Sequence, residues 1–568
     1  MGLILGMDTG GTFTDAVLLD QDSRSVVEKA KAPTTKEDLC IGIRECIGRL
    51  SEERMRDISL VCLSTTLATN SIVEGKGCRV GLVITGKTPF DAESLPEAET
   101  VNVGGGLDIR GRLQKDLNEE EVREKVRALK GKVDAAAVSG YACVRNPEQE
   151  IAVRRIVREE LKVPVVCAHE LTCELGYYER TVTVVLNARL IPLIKTLIDD
   201  TEVCLRERGV KAPIMMVRGD GSYMDSRYAE ERPVETILSG PAASIKGAMF
   251  LSGLKDGTII DVGGTTSDIA ALRKGKVEIS MEGARVGGWK TRVKAIDVYT
   301  CGVGGDSRIR VSPRGEITVG PEKVIPVSYA AFKGLGQSVE HENLTVLERK
   351  YRNIFGLSDE TNDIGFTPTD MAHLTGIYDA WDTEAAAEYL KKLARRAGED
   401  EKTLLNRLVE AFREAVKGAL RDSGKMEKGI PVVALGAPAE AWMPIIMKDS
   451  GSKLVIPRHS EVANAVGAAI GEIEEVIEVL IRFDEMSNKY VSYSRWKRSE
   501  FADLEEGKRV CLEEAKAYAR REAEKCGCDN PEIFSEIHDE YCKSYDGTSE
   551  TFIETVINVV AVGPPRFL

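Results

Sequence analysis

The sequence has few aromatic residues, no excess of basic charge and no long apolar segment. Aromatic residues make up 5% of the 568 residues, and the formal net charge is −14 at pH 7. This acidic balance argues against nucleic acid or an anionic membrane as the main partner. Because no apolar run approaches 18 residues and no charged leader precedes the first predicted strand, we expect a cytoplasmic protein with neither signal peptide nor membrane span.

Several motifs of known active sites are also missing. The chain contains no G-x-x-x-x-G-K-[ST] phosphate loop, no G-x-S-x-G nucleophile elbow and no H-E-x-x-H zinc motif. None of its five histidines lies in a glycine-rich loop. These absences exclude a P-loop nucleotide site and leave no recognisable activated nucleophile or metal-bound hydroxide.

The thirteen cysteines are an odd number scattered through apolar and helix-like segments, which is typical of reduced cytosolic thiols. One pair, Cys526 and Cys528, is close enough to chelate, with His538 and Cys542 downstream. A C-x-C pair lacks the usual two-residue spacer of zinc sites. Two interpretations remain open, a metal site and a solvated helix end that stops at Gly527.

Two copies of one glycine-rich loop, about 250 residues apart, are the most informative feature of the chain. The first is Asp8-Thr9-Gly10-Gly11-Thr12-Phe13-Thr14-Asp15, and the second is Asp261-Val262-Gly263-Gly264-Thr265-Thr266-Ser267-Asp268. Short apolar runs flank each copy, so each is predicted to be a strand, a glycine turn and a second strand. The repeat predicts two structurally equivalent turns in two halves of the molecule.

The chemistry of these turns suits phosphate. Glycines let backbone N–H groups approach an anion, threonine hydroxyls add donors, and an aspartate at the strand end can hold a hydrated divalent cation. A single such turn also arises for purely geometric reasons in hairpins. Two copies with aspartate at both ends favour binding of one triphosphate between them.

Other polar or glycine-rich segments follow predicted strands. The segment 64–70 begins a helix with five hydroxyl or amide residues, which either cap the helix or bind a ligand. The loop 103–111 either turns the chain or binds substrate, and the loop 300–307 is a third glycine-rich turn. The segment 464–471 is a helix of small residues, which lets backbones approach closely at a domain hinge.

The matching stretches of sequence, in order from Gly6–Asp20 to Leu454–Gly471, resemble the hydantoinase/oxoprolinase family, specifically its ATP-binding, hydantoinase A-type subunit. This family resembles the actin, sugar-kinase and Hsp70 superfamily. The resemblance implies an α/β fold of two ribonuclease-H-like (actin-like ATPase) domains, with a nucleotide cleft between them and a small C-terminal α+β appendage. The expected domains are 1–205, 206–478 and 479–568.

The resemblance also implies the cofactors ATP and Mg²⁺ and a set of site residues. The catalytic candidates are Asp8, Asp15, Asp261 and Asp268, of which Asp8 and Asp261 would hold the metal. The expected nucleotide-binding residues are Thr9, Gly10, Gly11, Thr12, Thr14, Gly263, Gly264, Thr265, Thr266, Gly304, Gly305 and Gly436. The substrate candidates are Thr65, Thr66, Asn70, Asp108, Arg110 and Arg180. For Asp15 and Asp268 three roles stay open: a base, a water-mediated metal ligand or a turn brace.

Members of the family use ATP to activate the oxygen of an unreactive amide or ketone. The resemblance therefore implies ATP-dependent ring opening of a cyclic amide such as a hydantoin, 5-oxoproline or a lactam. One alternative is the ATP-using subunit of a ketone carboxylase, and another is a nucleotide-switched interaction module without a small substrate. Many relatives have His-Gly where this chain has Leu63-Ser64, and Gly-His-Asp where it has Gly106-Leu107-Asp108, so the substrate need not carry over.

The resemblance also bears on partners. Many of these enzymes are completed by a second, hydantoinase B-type subunit, and we expect this chain to hydrolyse ATP weakly without such a subunit. The alternative is that water attacks the phosphorylated carbonyl unaided. A homo-oligomer is a further expectation.

Overall fold

The computed structural model of the protein describes residues 2–11, 13–35, 39–334, 364–543 and 550–568. Strands and helices are numbered along the chain. Of the residues with an expected role, Thr12 lies outside the described residues.

The first sheet contains the first glycine turn. Its six strands have the spatial order β12-β11-β4-β1-β2-β3. Strands β1, β2 and β3 form an antiparallel meander, β4 is parallel to β1, and β11 is parallel to β4. The strands are β1 (Leu3–Thr9), β2 (Phe13–Asp20), β3 (Val26–Pro33), β4 (Ile58–Thr65), β11 (Ile214–Val217) and β12 (Tyr223–Asp225).

A second, smaller sheet is entirely parallel. Its strands are β5 (Val80–Thr85), β6 (Glu99–Val103), β9 (Ala135–Gly140) and β10 (Val165–Cys167), in the order β10-β9-β5-β6. The strands are short, apolar runs separated by helices, the pattern of a parallel α/β sheet. Part of this sheet packs in a core of its own, which includes Val83, Val138 and Ile156.

The third sheet contains the second glycine turn and repeats the strand order of the first. Strands β13, β14 and β15 form an antiparallel meander, β23 is parallel to β13, and β24 is parallel to β23. Strand β18 also pairs with β14. The strands are β13 (Gly257–Val262), β14 (Ser267–Arg273), β15 (Lys276–Val277), β18 (Val298–Cys301), β23 (Val432–Leu435) and β24 (Leu454–Val455).

The C-terminal residues form a fourth sheet with one long helix, in agreement with the expected α+β appendage. The spatial order is β27-β26-β25-β29-β28. Its strands are β25 (Ile473–Asp484), β26 (Lys489–Tyr493), β27 (Arg498–Phe501), β28 (Glu532–Lys543) and β29 (Glu550–Gly563). Ile477, Ile557 and Ala515 share one apolar core with the first sheet, so this unit packs directly on the first half.

The remaining strands form two-stranded pairs: β7 (Gly106–Leu107) with β8 (Leu113–Lys115), β16 (Arg285–Val286) with β17 (Trp289–Lys290), β19 (Ser307–Val311) with β20 (Ile317–Lys323), and β21 (Ile325–Pro326) with β22 (Ile364–Gly365). The α-helices of the described residues are α1 (Leu39–Gly48), α2 (Leu67–Val73), α3 (Glu119–Arg127), α4 (Glu148–Leu161), α5 (Ala168–Leu171), α6 (Tyr177–Glu207), α7 (Ser226–Glu231), α8 (Ser239–Ser252), α9 (Val327–Phe332), α10 (Pro368–Leu374), α11 (Thr383–Ala397), α12 (Glu401–Asp422), α13 (Ala439–Ile446), α14 (Ala463–Ala468) and α15 (Leu504–Lys525).

The sheets extend across the expected domain boundaries. Strands β11 and β12 follow residue 205 yet complete the first sheet, because β11 pairs with β4. Strand β25 begins at Ile473, before residue 479, because its whole length pairs with β29. The first sheet thus ends at Asp225, and the C-terminal sheet begins at Ile473.

Helix α6, with 31 residues, is the longest helix among the described residues. By length and composition it is the one helix among the described ranges that could cross a membrane, a test that buried core helices also pass. In the structure, 72% of its most apolar stretch is buried inside the protein. Val185, Leu190 and Ile194 belong to the first core.

Candidate functional site

The two glycine turns have the same backbone geometry. In the first turn, Asp8 lies directly opposite Asp15 across strands β1 and β2. In the second, Asp261 lies opposite Asp268 across β13 and β14. The Gly10 N–H donates to the Phe13 carbonyl at 3.0 Å, and the Gly263 N–H donates to the Thr266 carbonyl at 2.9 Å. The prediction of strand, glycine turn and strand is confirmed for both copies.

The carboxylates of the first turn are buried and share one donor. Asp8 and Asp15 are 4% and 3% exposed. The side-chain amide of Asn464 donates to Asp8 Oδ2 at 2.8 Å and to Asp15 Oδ2 at 3.0 Å. Ser64 Oγ donates to Asp8 Oδ1 at 2.5 Å, and Lys31 Nζ lies 2.8 Å from Asp15 Oδ1. Burial, together with the nearby charge of Asp15, raises the pKa of Asp8 to about 6.

The carboxylates of the second turn are half-buried. Burial raises the pKa of Asp261, while the Ser244 hydroxyl opposes the shift. Burial raises the pKa of Asp268 to about 6, and its Oδ1 accepts a hydrogen bond from Thr300 Oγ1 at 2.6 Å. The charges of Lys31 and Asp15 also act on the pKa of Asp261. Residues of the first turn are therefore electrostatic neighbours of the second.

Helices α8 and α14 join the two halves at this point. A Cβ atom on Gly247 of α8 would overlap the carbonyl oxygen of Ala463, and one on Gly467 of α14 would overlap the carbonyl oxygen of Ala243. Only glycine permits such a close crossing. The expectation that the small-residue segment packs by close backbone approach is confirmed, and helix α14 contacts β1, β2 and β4 as well as α8.

The N-terminus of helix α8 lies beside the first turn. The hydroxyl of Ser239 donates to the carbonyl of Thr65 at 2.9 Å and accepts from its N–H at 3.2 Å. A Cβ atom on Gly240 would lie 3.7 Å from Asp8 Oδ1. The positive end of a 14-residue helix is thereby directed to the region of the carboxylates.

The third glycine-rich loop packs on the second turn. The N–H groups of Gly305 and Asp306 donate to the carbonyls of Gly263 and Gly264 at 3.0 and 2.7 Å. The Gly304 N–H donates to Ser307 Oγ at 2.8 Å. The amides of Gly304 and Gly305 are thus engaged within the protein, and these two residues brace the second turn.

Gly436 also touches the second turn. Its φ of +91° is unfavourable for other residues, and a Cβ there would overlap the carbonyl oxygen of Val262 and lie 2.9 Å from Asp261 Oδ1. Gly436 follows β23, the strand that pairs with β13. The loop after the fourth strand of the third sheet therefore reaches the same carboxylate as the turn itself.

The threonines near the turns differ in their surroundings. Thr14 is fully buried, and its hydroxyl pairs with that of Thr34 at 3.0 Å. The hydroxyl of Thr9 is buried without a hydrogen-bond partner among the described residues. Thr265 and Thr266 are half-buried. Of these threonines, Thr9 is therefore the one whose buried hydroxyl has no hydrogen bond to the described part of the chain.

The first three substrate candidates lie beside the first turn. Thr66 precedes helix α2, and Asn70 Nδ2 donates to its hydroxyl at 3.2 Å. A Cβ atom on Gly11 would lie 3.3 Å from Asn70 Nδ2. The hydroxyl of Thr65 is buried and accepts from the Leu67 N–H at 3.0 Å, so it is engaged where the chain enters helix α2, while Thr66 and Asn70 lie beside the turn.

The other three candidates are bound elsewhere in the fold. Asp108 accepts from the N–H groups of Arg110 and Arg112, so it stabilises its own loop. The guanidinium of Arg110 lies 2.8 Å from Asp484 in the C-terminal sheet. Arg180 is 2% exposed and donates to the carbonyls of Gly140 and Glu174 at 3.4 Å.

Three donors to the carboxylates, Ser64, Asn464 and Lys31, were not identified from the sequence. Ser64 stands one residue before a flagged threonine, and Asn464 lies in a segment that was assigned only to packing. Lys31 occupies an unremarkable strand, β3, in which charged and apolar residues alternate. Proximity to a flagged motif could have indicated Ser64, whereas the contacts of Lys31 and Asn464 depend on the fold.

The cysteines at 526 and 528 do not form a metal site with other described residues. Cys526 Sγ lies 3.1 Å from both Glu475 Oε1 and Arg218 Nη2. Among the described side chains, the one group with chelating spacing is Glu150, Cys167 and His169.

The carboxylate donors of the two turns suit a hard cation. The carboxylates of Asp8, Asp15 and Asp261 offer oxygen only, which Mg²⁺ prefers. Two glycines, Gly240 and Gly436, lie beside Asp8 and Asp261, and a side chain at either position would fill the space next to these carboxylates. The fold and the site define a class of protein. It is an α/β protein with two sheets of the same strand order, and each sheet carries a glycine turn between two aspartates.

The particular family follows from sequence comparison. Residues 4–161 match the hydantoinase/oxoprolinase N-terminal region, and residues 180–337 match the hydantoinase/oxoprolinase domain. The chain belongs to the hydantoinase/oxoprolinase family.

The names of individual relatives indicate different activities. The chain is 30% identical over 362 residues to the acetophenone carboxylase gamma subunit of Aromatoleum aromaticum, covering 56% of this chain and 49% of that protein. It is 29% identical over 350 residues to the caprolactamase subunit alpha of Pseudomonas jessenii, covering 56% and 50%. The chain thus spans about half the length of these curated relatives.

A solved structure shares the fold over almost the whole chain. The ATP-dependent caprolactamase from Pseudomonas jessenii superposes with a TM-score of 0.71, covering 98% of this chain and 87% of that one at 21% identity. At this identity the likeness concerns the fold alone.

Proposed function

We propose that the chain binds ATP and Mg²⁺ between its two glycine turns and phosphorylates the carbonyl oxygen of a small molecule. The observation that carries this proposal is the equivalence of the turns: each has an aspartate pair and the same glycine hydrogen bond, and helices α8 and α14 connect the sheets behind them. In the same proposal, the first and the third sheet each belong to a ribonuclease-H-like domain. The first sheet contains β1–β4 and β11, the third contains β13–β15, β23 and β24, and the nucleotide lies in the cleft between the two domains.

The strand order supports this assignment of domains. In each sheet a three-stranded meander is extended beside its first strand by two further parallel strands. The expected domains 1–205, 206–478 and 479–568 are proposed with two changes: β11 and β12 return to the first domain, and strand β25, from Ile473 onwards, belongs to the third. Ligands of α/β sheets bind outside the carboxyl ends of strands, where Asp8, Ser64 and Gly436 lie.

In this proposal Asp8 and Asp261 hold Mg²⁺. When bound, Mg²⁺ would neutralise charge on the phosphates. The buried first turn keeps Asp8 oriented through Ser64 and Asn464. The Thr9 hydroxyl and the amides of Gly11 and Gly264 are the donors proposed for phosphate oxygens, whereas the amides of Gly10 and Gly263 bond within their turns and fix the shape of each turn.

The second aspartate of each turn, Asp15 or Asp268, has a different role from the first. Asp15 is paired with Lys31 and bonded to Asn464, so it organises the first turn and keeps a positive charge beside it. Asp268 accepts from Thr300 in the neighbouring strand β18, which braces the second turn. Of the three roles considered, these contacts favour the role of a turn brace for both residues. Asp15 then holds the turn that carries Asp8, and Asp268 holds the turn that carries Asp261.

Phosphorylation is useful chemistry for an unreactive carbonyl. An amide carbonyl is a poor electrophile, and its oxygen is a poor leaving group until a phosphoryl group is attached. The protein contributes positioning and charge stabilisation, which are the main sources of catalysis in phosphoryl transfer. Thr66 and Asn70, beside the first turn, are the residues best placed to orient a substrate oxygen.

Two substrate classes are proposed with equal support. Similarity to the caprolactamase subunit favours a cyclic amide that is opened by hydrolysis, and similarity to the acetophenone carboxylase subunit favours a ketone that is prepared for carboxylation. In both cases, we propose a hydantoinase B-type second subunit as the partner that completes turnover.

The test is ADP release by the purified chain with Mg-ATP and a panel of 5-oxoproline, hydantoin, caprolactam and acetophenone, with product measured in parallel. Stimulation by an amide or by the ketone selects the substrate class. Stoichiometric ring opening by the isolated chain contradicts the partner requirement. No stimulation by any compound, together with stimulation of ADP release by an unrelated protein, would contradict carbonyl activation and favour the nucleotide-switched module.

A further inference from the structure

Two cysteines from distant parts of the chain lie side by side between helices α1 and α6. Cys40 stands in the first turn of α1, and Cys204 stands in the last turn of α6. Their sulfur atoms are 2.8 Å apart. Non-bonded carbon atoms pack at about 3.5–4.0 Å, and sulfur is larger than carbon, so the two thiols are closer than ordinary packing brings such groups. The sulfurs of a disulfide bond are about 2.05 Å apart, so a small movement of the side chains allows the bond to form.

Each of the two sulfur atoms also reaches the backbone of the opposite helix. Cys204 Sγ lies 3.6 Å from the carbonyl oxygen of Cys40. Cys40 Sγ lies 3.7 Å from the carbonyl oxygen of Asp200, which is one helical turn before Cys204. A disulfide bond needs this kind of close approach between the two main chains, because its side chains are short.

Neighbouring contacts hold the two helices together on both sides of the cysteines. On the solvent side, the guanidinium of Arg44 donates twice to the carboxylate of Glu207, at 2.9 and 3.2 Å. On the inner side, Ile47 of α1 and Leu205 of α6 belong to the same apolar core. The helices are thus already fixed beside each other, and forming the bond requires no rearrangement of the fold.

The two thiols differ in their access to solvent. Cys40 is 9% exposed, whereas Cys204 is 1% exposed, so a reagent from solution meets Cys40 first. Burial, with the hydrogen bond and charge of Cys40, raises the pKa of Cys204 to about 12, although Arg44 opposes the shift. Cys204 is therefore protonated near neutral pH and reacts second, when the sulfur that it attacks is already held beside it.

We propose that Cys40 and Cys204 form a reversible disulfide bond, with a low-molecular-weight disulfide as the oxidant. The Cys40 sulfur attacks the small disulfide, whose S–S bond breaks, and the first small thiol leaves with the proton of Cys40. The Cys204 sulfur then attacks the Cys40 sulfur of this mixed disulfide, and the second small thiol leaves with the proton of Cys204. Two protein thiols are oxidised by two electrons in total, and the small disulfide is reduced to two thiols.

The bond joins two residues that are 164 positions apart in the chain. A cross-link over so long a loop restricts the unfolded chain much more than the folded one, so the oxidised protein is the more stable form. Helix α1 also packs on strands β2 and β3 of the first sheet, which the bond therefore connects more firmly to α6. Formation of the bond does not require nucleotide.

The experiment treats the folded full chain with oxidised glutathione or with dithiothreitol, blocks the remaining thiols and maps the tryptic peptides. The peptides 37–44 and 196–206 each contain a single cysteine. They should be linked after oxidised glutathione and separate after dithiothreitol. Cys204→Ala should remove the linked pair. Cys78→Ser is the matched control, because this half-buried thiol donates to the Ala188 carbonyl, and it should leave the linked pair unchanged.

Thermal unfolding tests the consequence of the bond. The midpoint of the oxidised wild type should lie a few degrees above that of the reduced protein, and Cys204→Ala and Cys40→Ser should lack this shift. Separate peptides after oxidised glutathione, glutathione retained on Cys40 without the internal bond, or linked peptides that form only in denaturant would each overturn the proposal. These outcomes are read from the wild-type protein and do not depend on the folding of the variants. Equal midpoints of the linked and the reduced wild type would overturn the stabilisation.

Discussion

The side-chain amide of Asn464 donates a hydrogen bond to the carboxylate of Asp8 across 456 residues of chain. The same nitrogen lies 3.0 Å from Asp15 Oδ2, so one donor holds two buried carboxylates close to each other. Asn464 lies on helix α14, which crosses α8 behind both turns. The orientation of the first turn is thereby coupled to the helix pair that connects the two halves.

Replacing Asn464 should impair the site without abolishing it. In Asn464→Ala, Asp8 and Asp15 lose a shared donor and repel each other more strongly, so we expect ATP hydrolysis to fall about tenfold. The apparent Mg²⁺ affinity should change as well, because the carboxylates are no longer held together. Asn558→Ala, in the C-terminal sheet, is the control. Unchanged Mg²⁺ dependence in Asn464→Ala would contradict a role in positioning the metal ligand.

The raised pKa of Asp8 predicts a cost in stability near neutral pH. Its folded-state pKa of about 6 lies above the ordinary 3.8, so the folded state holds this proton more tightly than the unfolded chain. The penalty for ionising Asp8 is absent below about pH 3.8 and complete above about pH 6, where it reaches at most about 3 kcal/mol. Asp8→Asn should therefore raise the thermal midpoint at pH 7.5 when no ligand is present.

The gain from Asp8→Asn should shrink as the pH falls towards 4, because the wild-type carboxyl is then neutral as well. Differential scanning calorimetry from pH 4 to pH 8 measures this. A difference between the two proteins that does not depend on pH would contradict the raised pKa.

The helix crossing predicts that an added methyl group is costly at Gly467. In Gly467→Ala the new Cβ overlaps the Ala243 carbonyl, so the helices must separate, and overpacking of this kind costs about 1–3 kcal/mol. Gly418→Ala is the matched control, since in helix α12 its Cβ would meet nothing closer than 4.0 Å. Chemical denaturation should show a loss for the first variant and none for the second. Equal stabilities would show that the crossing tolerates separation.

A ligand that contacts both turns should bring the two halves together, because it favours the closed state by its differential affinity. Addition of a non-hydrolysable Mg-ATP analogue should reduce the radius of gyration in solution scattering. It should also protect the amides of residues 302–307 from hydrogen exchange. No change in either measurement would indicate a rigid site.

Local features of the fold could be predicted from the sequence because they depend on neighbouring residues. The strands around both glycine turns, the helix after Thr66 and the alternating strand β29 each follow from a short pattern of apolar residues and turn formers. The paired turns were also recognisable, since the two motifs have the same length and the same aspartate ends.

Contacts between distant segments could not be predicted in this way. Nothing near Arg110 indicates that its partner is Asp484, and a strand such as β11 has the same local pattern whichever sheet it joins. The bonds of Asn464 to two aspartates depend on the crossing of α8 and α14. Single sequences carry little information on such pairings, and for that reason the donors around Asp8 were missed.

The most direct test of the central claim is ATP hydrolysis by Asp8→Asn and Asp261→Asn, each made separately. If the nucleotide lies between the two turns, either change removes a charge from the proposed metal site, and the rate should fall about 10²-fold or more in both variants. Asp22→Asn, in the exposed turn after β2, should retain the wild-type rate. Wild-type turnover in either Asp8→Asn or Asp261→Asn would contradict a nucleotide site shared by the two halves.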